Sequence, residues 1–468
     1  MLNSVLKSQI NSNFLTGTFR IFQRLQALLK IKGPSLIVHI ILQVMSVCFA
    51  LRDVTVTDSQ GKSVSWSSTK AGANKPQNTR PLAIFPAKEN KELLAEYVPQ
   101  VEADIKLIKA EGVDVRLGEM ETKATCQKAD LTMADGKMVT SLLQLGGAYC
   151  SMCTHSQEEC HNMLVIQAGF VINRSIETIT DLAISLTDED TGEVVRAPKD
   201  YAKRQGVCGK PITESDLTKN IPVCHSKIRT TEFVVELLIR YLSHQKWWTP
   251  TNAVRYTKEE KTSYNNARAR LEDDFYQNMA INLGDPGDMV TGNAFHKLAS
   301  DTSREFVCNI VDEDLREDFG IMLLGLCAAV KIIHSQKRKV NVDKFRTMTL
   351  EVYIKLIQCF PWCSISPSVH RILAHSWEVI QLNEGYGLGN LSEEGLEALN
   401  KYIRSRRETG ARKDTTMHNF MDTFNHLWDR SRPTIVEMAR IIRRKTPKLM
   451  VMTEIEAVVE SLFLEDED

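Results

Sequence analysis

Two periods of hydrophobic repeat divide this chain. Between residues 45 and 70 apolar side chains alternate: Val47, Phe49 and Leu51, then Val54 and Val56, then Val64 and Trp66. A period of two is that of a strand with unlike faces, and the polar run Asp58-Ser-Gln-Gly61 reads as the turn between the later two runs. A polar linker, Ser67 to Arg80, follows. Leu82 to Phe85 predicts a short buried strand, and Asn90 to Ala110 a helix. Leu131–Met133 and Met138–Thr140 flank Asp135-Gly136, the pattern of two short β stretches about a hairpin turn. Strands mixed with helices argue for an α/β core. After about residue 165 the period becomes helical. Segments 232–242, 315–333, 345–360, 435–444 and 454–464 each place apolar residues on one helical face. The chain shows no internal repeat, and its acidic end, Glu465 to Asp468, reads as solvated.

At 468 residues the chain has room for two to four domains and a sizeable core. The net charge of −1 hides an asymmetry: residues 1 to 52 contain six basic and no acidic residues, so the remainder carries −7. No global basic field announces nucleic acid, and any DNA contact must come from local patches. The 11 cysteines, an odd number scattered from Cys48 to Cys363, do not form a secreted disulfide pattern. Reduced thiols, some of them binding metal, are the better reading. Ser35 to Leu51 is apolar but broken by His39 and Gln43, at the lower length limit for a membrane span. A buried strand pair explains it equally well, and the expectation is no membrane. The acid-free start also resembles an organelle transit peptide.

Several motifs carry possible chemistry. Cys150-Ser-Met-Cys153 has zinc-ligand spacing. With His155, Cys160 and His161 nearby, spacing alone favours a local C-x2-C-x6-C-H knuckle. His370 and His375 lie five residues apart. On a continuous α-helix that separation rotates the chain by about 140°, poor for one shared metal. Asp135-Gly136 is most simply a turn. Glu397 falls on a helix expected to be capped by Ser392, with Leu396, Leu399 and Ile403 as its apolar face and Lys401 as an ion-pair partner. Lys401, Arg404, Arg406 and Arg407 make one basic run with Arg412 and Lys413; Arg440, Arg443, Arg444, Lys445 and Lys448 make another. Such runs are usually solvated faces and are also what phosphate contact needs.

Taken in order, these pieces resemble the recombination-activating protein 1 family, the catalytic subunit of the V(D)J recombinase, and the related Transib-like DDE transposases. The resemblance runs from about Val47 to Arg412. It includes Leu82–Leu93, Met133–Val139, Cys150–Cys153, Thr231–Val235, Thr291–Leu298, His370–His375 and Leu391–Arg407. It implies an α/β RNase H-like catalytic core interrupted by a large, mainly α-helical zinc-binding insertion. The implied divisions are an unmatched stretch 1–44 and a partial core 45–149. An insertion 150–369, a zinc-histidine and catalytic-glutamate segment 370–412 and a helical tail 413–468 follow. By position, Asp135 and Glu397 correspond to catalytic carboxylates that hold Mg²⁺ or Mn²⁺. Cys150, Cys153, His370 and His375 correspond to ligands of a structural Zn²⁺, replacing the local knuckle. Lys401, Arg404, Arg406 and Arg407 become candidate DNA contacts. The implied activity is metal-dependent DNA nicking and strand transfer. The implied setting is the nucleus, with DNA carrying a terminal repeat or signal-like sequence, a homodimer, and an accessory recombination-activating protein 2-like subunit.

The chain departs from the family upstream of Val47, where the family's first active-site aspartate has no counterpart. A mis-joined exon, a truncation or a decayed copy would each explain this. The expectation is therefore a recombinase or transposase-like endonuclease with impaired cleavage. The alternative is a non-catalytic, zinc-stabilised DNA-binding protein derived from a transposon.

Overall fold

The computed structural model describes residues 45–50, 53–57, 63–67, 79–85, 91–111, 113–117, 120–124, 136–187, 205–246, 256–284, 290–430 and 453–464. They divide into two compact units. The smaller comprises Met1–Leu131, Ile212–Ser215 and Glu393–Leu449; the larger comprises Thr132–Pro211, Asp216–Ser392 and Met450–Asp468.

Among the described residues of the smaller unit, six strands pair only in twos: β1 (Met45–Ala50), β2 (Asp53–Thr57), β3 (Ser63–Ser67), β4 (Thr79–Phe85), β5 (Val113–Leu117) and β6 (Met120–Ala124). β2 and β3 form an antiparallel hairpin, as do β5 and β6. β1 pairs antiparallel with β4, with a register shift between Val47 and Cys48. Helices Lys91–Glu111, Glu394–Thr409 and Thr416–Arg430 complete this unit. Buried Glu102 ties the short segment 212–215 to the first of these helices. It accepts from the Glu214 amide at 3.0 Å, from the Ser215 amide at 3.0 Å and hydroxyl at 2.8 Å, and from the Thr213 hydroxyl. That set satisfies a buried carboxylate.

The larger unit is helical. Its centre is the helix Glu313–Ile333, whose residues from Phe319 to Ile333 are buried on almost every side. An all-round apolar helix belongs in the middle of a core. Val223–Leu242 and Val342–Cys359 pack around it. The last contact is close because residue 325 is glycine: a Cβ there would lie 2.3 Å from Val352 Cγ2. The helix Glu454–Ser461 opens with a Thr453–Glu456 capping box and packs on the same central helix. Ion pairs from Arg304 to Glu454 (2.7 Å) and Lys331 to Glu456 (3.6 Å), and one between Arg338 and Glu460, line that contact.

The expected α/β RNase H-like core is not what forms. Such a core needs a central sheet of several strands covered by helices. Among the described residues helix predominates and no ladder gains a third strand. Alternation identified β1, β2 and β3 locally and missed β5 and β6, and period alone does not decide which strands join. The segment after Asp135 is also corrected: Gly136–Leu142 is helical, not the second arm of a hairpin. Its buried residues, Val139 and Leu142, are three apart. A run this short fits both periods until its packing is known. The helices expected at 315–333, 345–360 and 454–464 are present within about three residues of those bounds, and the one expected at 232–242 begins nine residues earlier, at Val223. The one expected at 435–444 lies outside the described residues. No described helix is long and apolar enough to cross a membrane.

Candidate metal centre

Cys150 and Cys153 lie on a turn pinned by bonds to neighbouring segments. The amides of Asn173 and Arg174 both donate to the Met152 carbonyl at 3.0 Å. Arg174 Nε donates to the Cys153 carbonyl at 2.7 Å, and Ser151 Oγ to the Thr218 carbonyl at 3.1 Å. The Met152 amide points at Cys150 Sγ, 3.4 Å away. These bonds turn both sulfurs inward.

The histidines arrive on an interrupted helix. Ser366 caps its start by accepting from the Val369 amide, and Pro367 takes the first helical position. Arg371–His375 then forms a π-helical turn before α-helix resumes at Ser376–Leu382. The i→i+5 bonding of a π turn stacks residues five apart. The rotation expected of a regular helix therefore does not apply, and both imidazoles face the cysteine turn. Buried Arg371, inside the π turn, donates through Nη1 to Ser151 Oγ at 3.3 Å. This links the two halves of the site by protein groups alone.

Cys150, Cys153, His370 and His375 are all buried, and their ligand atoms lie within 4.8 Å of one another. Cys153 Sγ is 3.2 Å from His370 Nε2. A tetrahedral zinc with ordinary Zn–S and Zn–N bonds needs ligand separations on the order of 3.5 Å. Neither ring nitrogen of fully buried His375 has hydrogen-bond geometry with any partner. A buried ring nitrogen without such a bond is costly unless something binds it, and a metal ion would take up one of the two. Two thiolates and two imidazoles with no water-facing side suit Zn²⁺ in a closed site. Phe170 covers the group, its ring 4.8 Å from His370 and 6.4 Å from His375 by centroid.

The electrostatics agree with a thiolate in the cluster. Burial by itself would raise the Cys150 thiol, but the contacts of Cys153, His370 and His375 bring it well below its ordinary range. Cys153 is raised, first by the hydrogen bond to Cys150 and then by burial. Burial opposes a charge on His370, yet the sulfurs of Cys150 and Cys160 raise it.

The local knuckle does not form. Cys160 is buried 3.7 Å from His370 Nδ1, the nitrogen turned away from Cys153, and is not one of the four converging residues. His161 places its ring nitrogens 2.6 Å from the Gln157 carbonyl and 2.7 Å from that of Cys363. His155 packs edge-on against Phe170, and burial pushes its imidazole down. The nine cysteines from Cys150 to Cys363 are all free thiols. Tyr353, whose hydroxyl lies 3.1 Å from His370 Nδ1, was invisible to sequence reading. It is one apolar-face residue among many on its helix.

Asp135 lies outside the described residues. Glu397 is half-buried in the first turn of Glu394–Thr409, in the smaller unit. That helix is not capped by Ser392. Its N-cap is Glu393, because Ser392 closes a preceding 3-10 turn, Gly389–Leu391. Leu399 and Ile403 pack with Leu427. Of the basic run, Lys401 and Arg404 are exposed. Arg407 stacks 4.1 Å over Phe420 and donates to Asn419, and Arg406 lies against Gly410.

No known protein-family profile matches the chain, and no curated protein matches it.

Proposed function

We propose that this is a zinc-stabilised DNA-acting protein of the kind represented by recombination-activating protein 1 and Transib-like transposases, with impaired strand cleavage. One observation carries the reading. Four residues spread over more than 220 positions, which spacing alone did not join, are the four that the resemblance assigns as zinc ligands, and they converge. On this reading Zn²⁺ occupies a closed site and cross-links the cysteine turn to the π turn, without an open position for substrate.

Nicking and strand transfer belong to the carboxylates. Asp135 and Glu397 would hold Mg²⁺ or Mn²⁺, which supplies the charge that favours attack at phosphorus. With no counterpart of the first aspartate, a two-metal site lacks a ligand, and cleavage should fall by orders of magnitude. DNA is then bound more readily than cut. Of the four candidate contacts Lys401, Arg404, Arg406 and Arg407, the exposed Lys401 and Arg404 would be the ones to meet phosphates. A nuclear location, a homodimer and an accessory recombination-activating protein 2-like subunit follow from the same proposal.

The test is duplex binding measured by fluorescence anisotropy over a salt series. Lys401→Ala and Arg404→Ala should each weaken binding uniformly across sequences and reduce the salt slope by about one. Arg407→Ala should instead lower stability. Binding no stronger than that of an unrelated neutral protein would overturn the DNA reading. A Mg²⁺-dependent nick lost in Asp135→Ala would overturn the impaired-cleavage part alone.

A further inference from the structure

We infer that Tyr353 is a positioning residue of the metal centre: its hydroxyl accepts from His370 Nδ1–H and thereby turns His370 Nε2 toward the metal. The inference rests on the metal reading above.

Tyr353 is only 1 % exposed in the helix Val342–Cys359, where phenylalanine would fill nearly the same space. Burying a hydroxyl in an apolar core costs free energy unless it is bonded, so a tyrosine here needs a polar partner. The partner is His370 Nδ1, at 3.1 Å. A neutral imidazole carries one proton, and which nitrogen holds it follows from what the other nitrogen meets. His370 Nε2 faces Cys153 Sγ at 3.2 Å, the metal side. The proton therefore belongs on Nδ1, donated to Tyr353 Oη.

The same geometry places Cys160 outside the ligand set: its sulfur lies on the Nδ1 side of His370, 3.7 Å from that nitrogen and away from the metal. It also makes the centre asymmetric. His370 is held by an outer hydrogen bond, whereas His375, whose ring nitrogens have no hydrogen-bond partner, is oriented by the π turn and by packing. Outer-shell partners of this type commonly change metal affinity by about 10–100-fold.

Zinc affinity is measured by competition with a chromophoric chelator, and ligand number from the thiolate charge-transfer band of the Co²⁺-substituted full chain. Tyr353→Phe should keep one metal per chain and an unchanged charge-transfer intensity, but bind zinc about 10–100-fold more weakly. The melting temperature of its metal-free form should match that of the metal-free parent. Cys160→Ser should leave the charge-transfer intensity unchanged, whereas Cys150→Ser should lower it. Parental affinity in Tyr353→Phe would overturn the inference, as would a loss of intensity in Cys160→Ser equal to that in Cys150→Ser. If Tyr353→Phe fails to fold, the ¹⁵N-histidine spectrum of the zinc-loaded parent decides. Metal on Nε2 with the proton on Nδ1 supports the inference, and the reverse overturns it. If the parent takes up neither Zn²⁺ nor Co²⁺, the metal reading itself fails and this inference with it.

Discussion

His370 and His375 present their rings to each other edge-on, with centroids 5.0 Å apart and planes at 79°, although five residues separate them. A regular α-helix would point them apart by about 140°. The π-helical turn Arg371–His375 removes that difference by widening one turn. A local departure from helix geometry is thus what makes two ordinary histidines a chelating pair. π turns often mark functional positions for this kind of reason.

The first prediction follows from that pair. If the four residues hold Zn²⁺, the chain as purified should contain one zinc, and chelation should lower its thermal midpoint. Cys150→Ser and His375→Ala should each abolish stoichiometric zinc and lower the midpoint by roughly 5–10 °C in a body of this size. Elemental analysis and calorimetry read both quantities. A zinc-free parent whose melting ignores chelator would refute the assignment.

Gly325→Ala tests the central helix contact. The added methyl would meet Val352 Cγ2 at 2.3 Å inside a filled core. Overpacking of this kind costs about 1–3 kcal/mol. Adding Val352→Ala opens space for the new methyl, so the double variant should recover more stability than the two separate losses would allow. Denaturant melts of the four proteins measure the coupling, and strict additivity would mean that the helices simply move apart.

His334 sets a pH dependence. Burial, assisted by the nearby charge of Lys227, pushes its imidazole down from 6.5 to about 3, while Ser226 Oγ lies 3.2 Å from Nε2. Between those values the unfolded chain binds a proton that the folded chain refuses. Stability from this group is therefore complete above pH 6.5 and is lost progressively as pH falls toward 3. His334→Gln should flatten that part of the stability curve while leaving the neutral-pH value within a kcal/mol or so of the parent. An unchanged slope between pH 6 and 4 would assign the acid sensitivity to other groups.

Much of the helical body was legible from period alone. Segments such as 315–333 repeat apolar residues in a way that only a buried helix accommodates, and the 53–57 and 63–67 strands alternate over just the length that pairs. These are properties of neighbours in sequence. The Cys150-x2-Cys153 spacing was equally local, and it correctly marked a pair of inward thiols. Its completion was not local. Spacing favoured Cys160 and His161, which lie close in sequence, but Cys160 faces the far side of His370 and His161 is taken up by two carbonyls. Only tertiary packing brings His370 and His375 across more than 200 residues, and only the π turn lets both face inward. The misread α/β core has the same origin. Alternation identifies a strand from its own residues, whereas a sheet exists only when distant strands bond to one another, and among the described residues each strand finds one partner and stops. Patterns between neighbours determined the elements; long-range convergence, which no periodicity encodes, decided the metal group and the architecture.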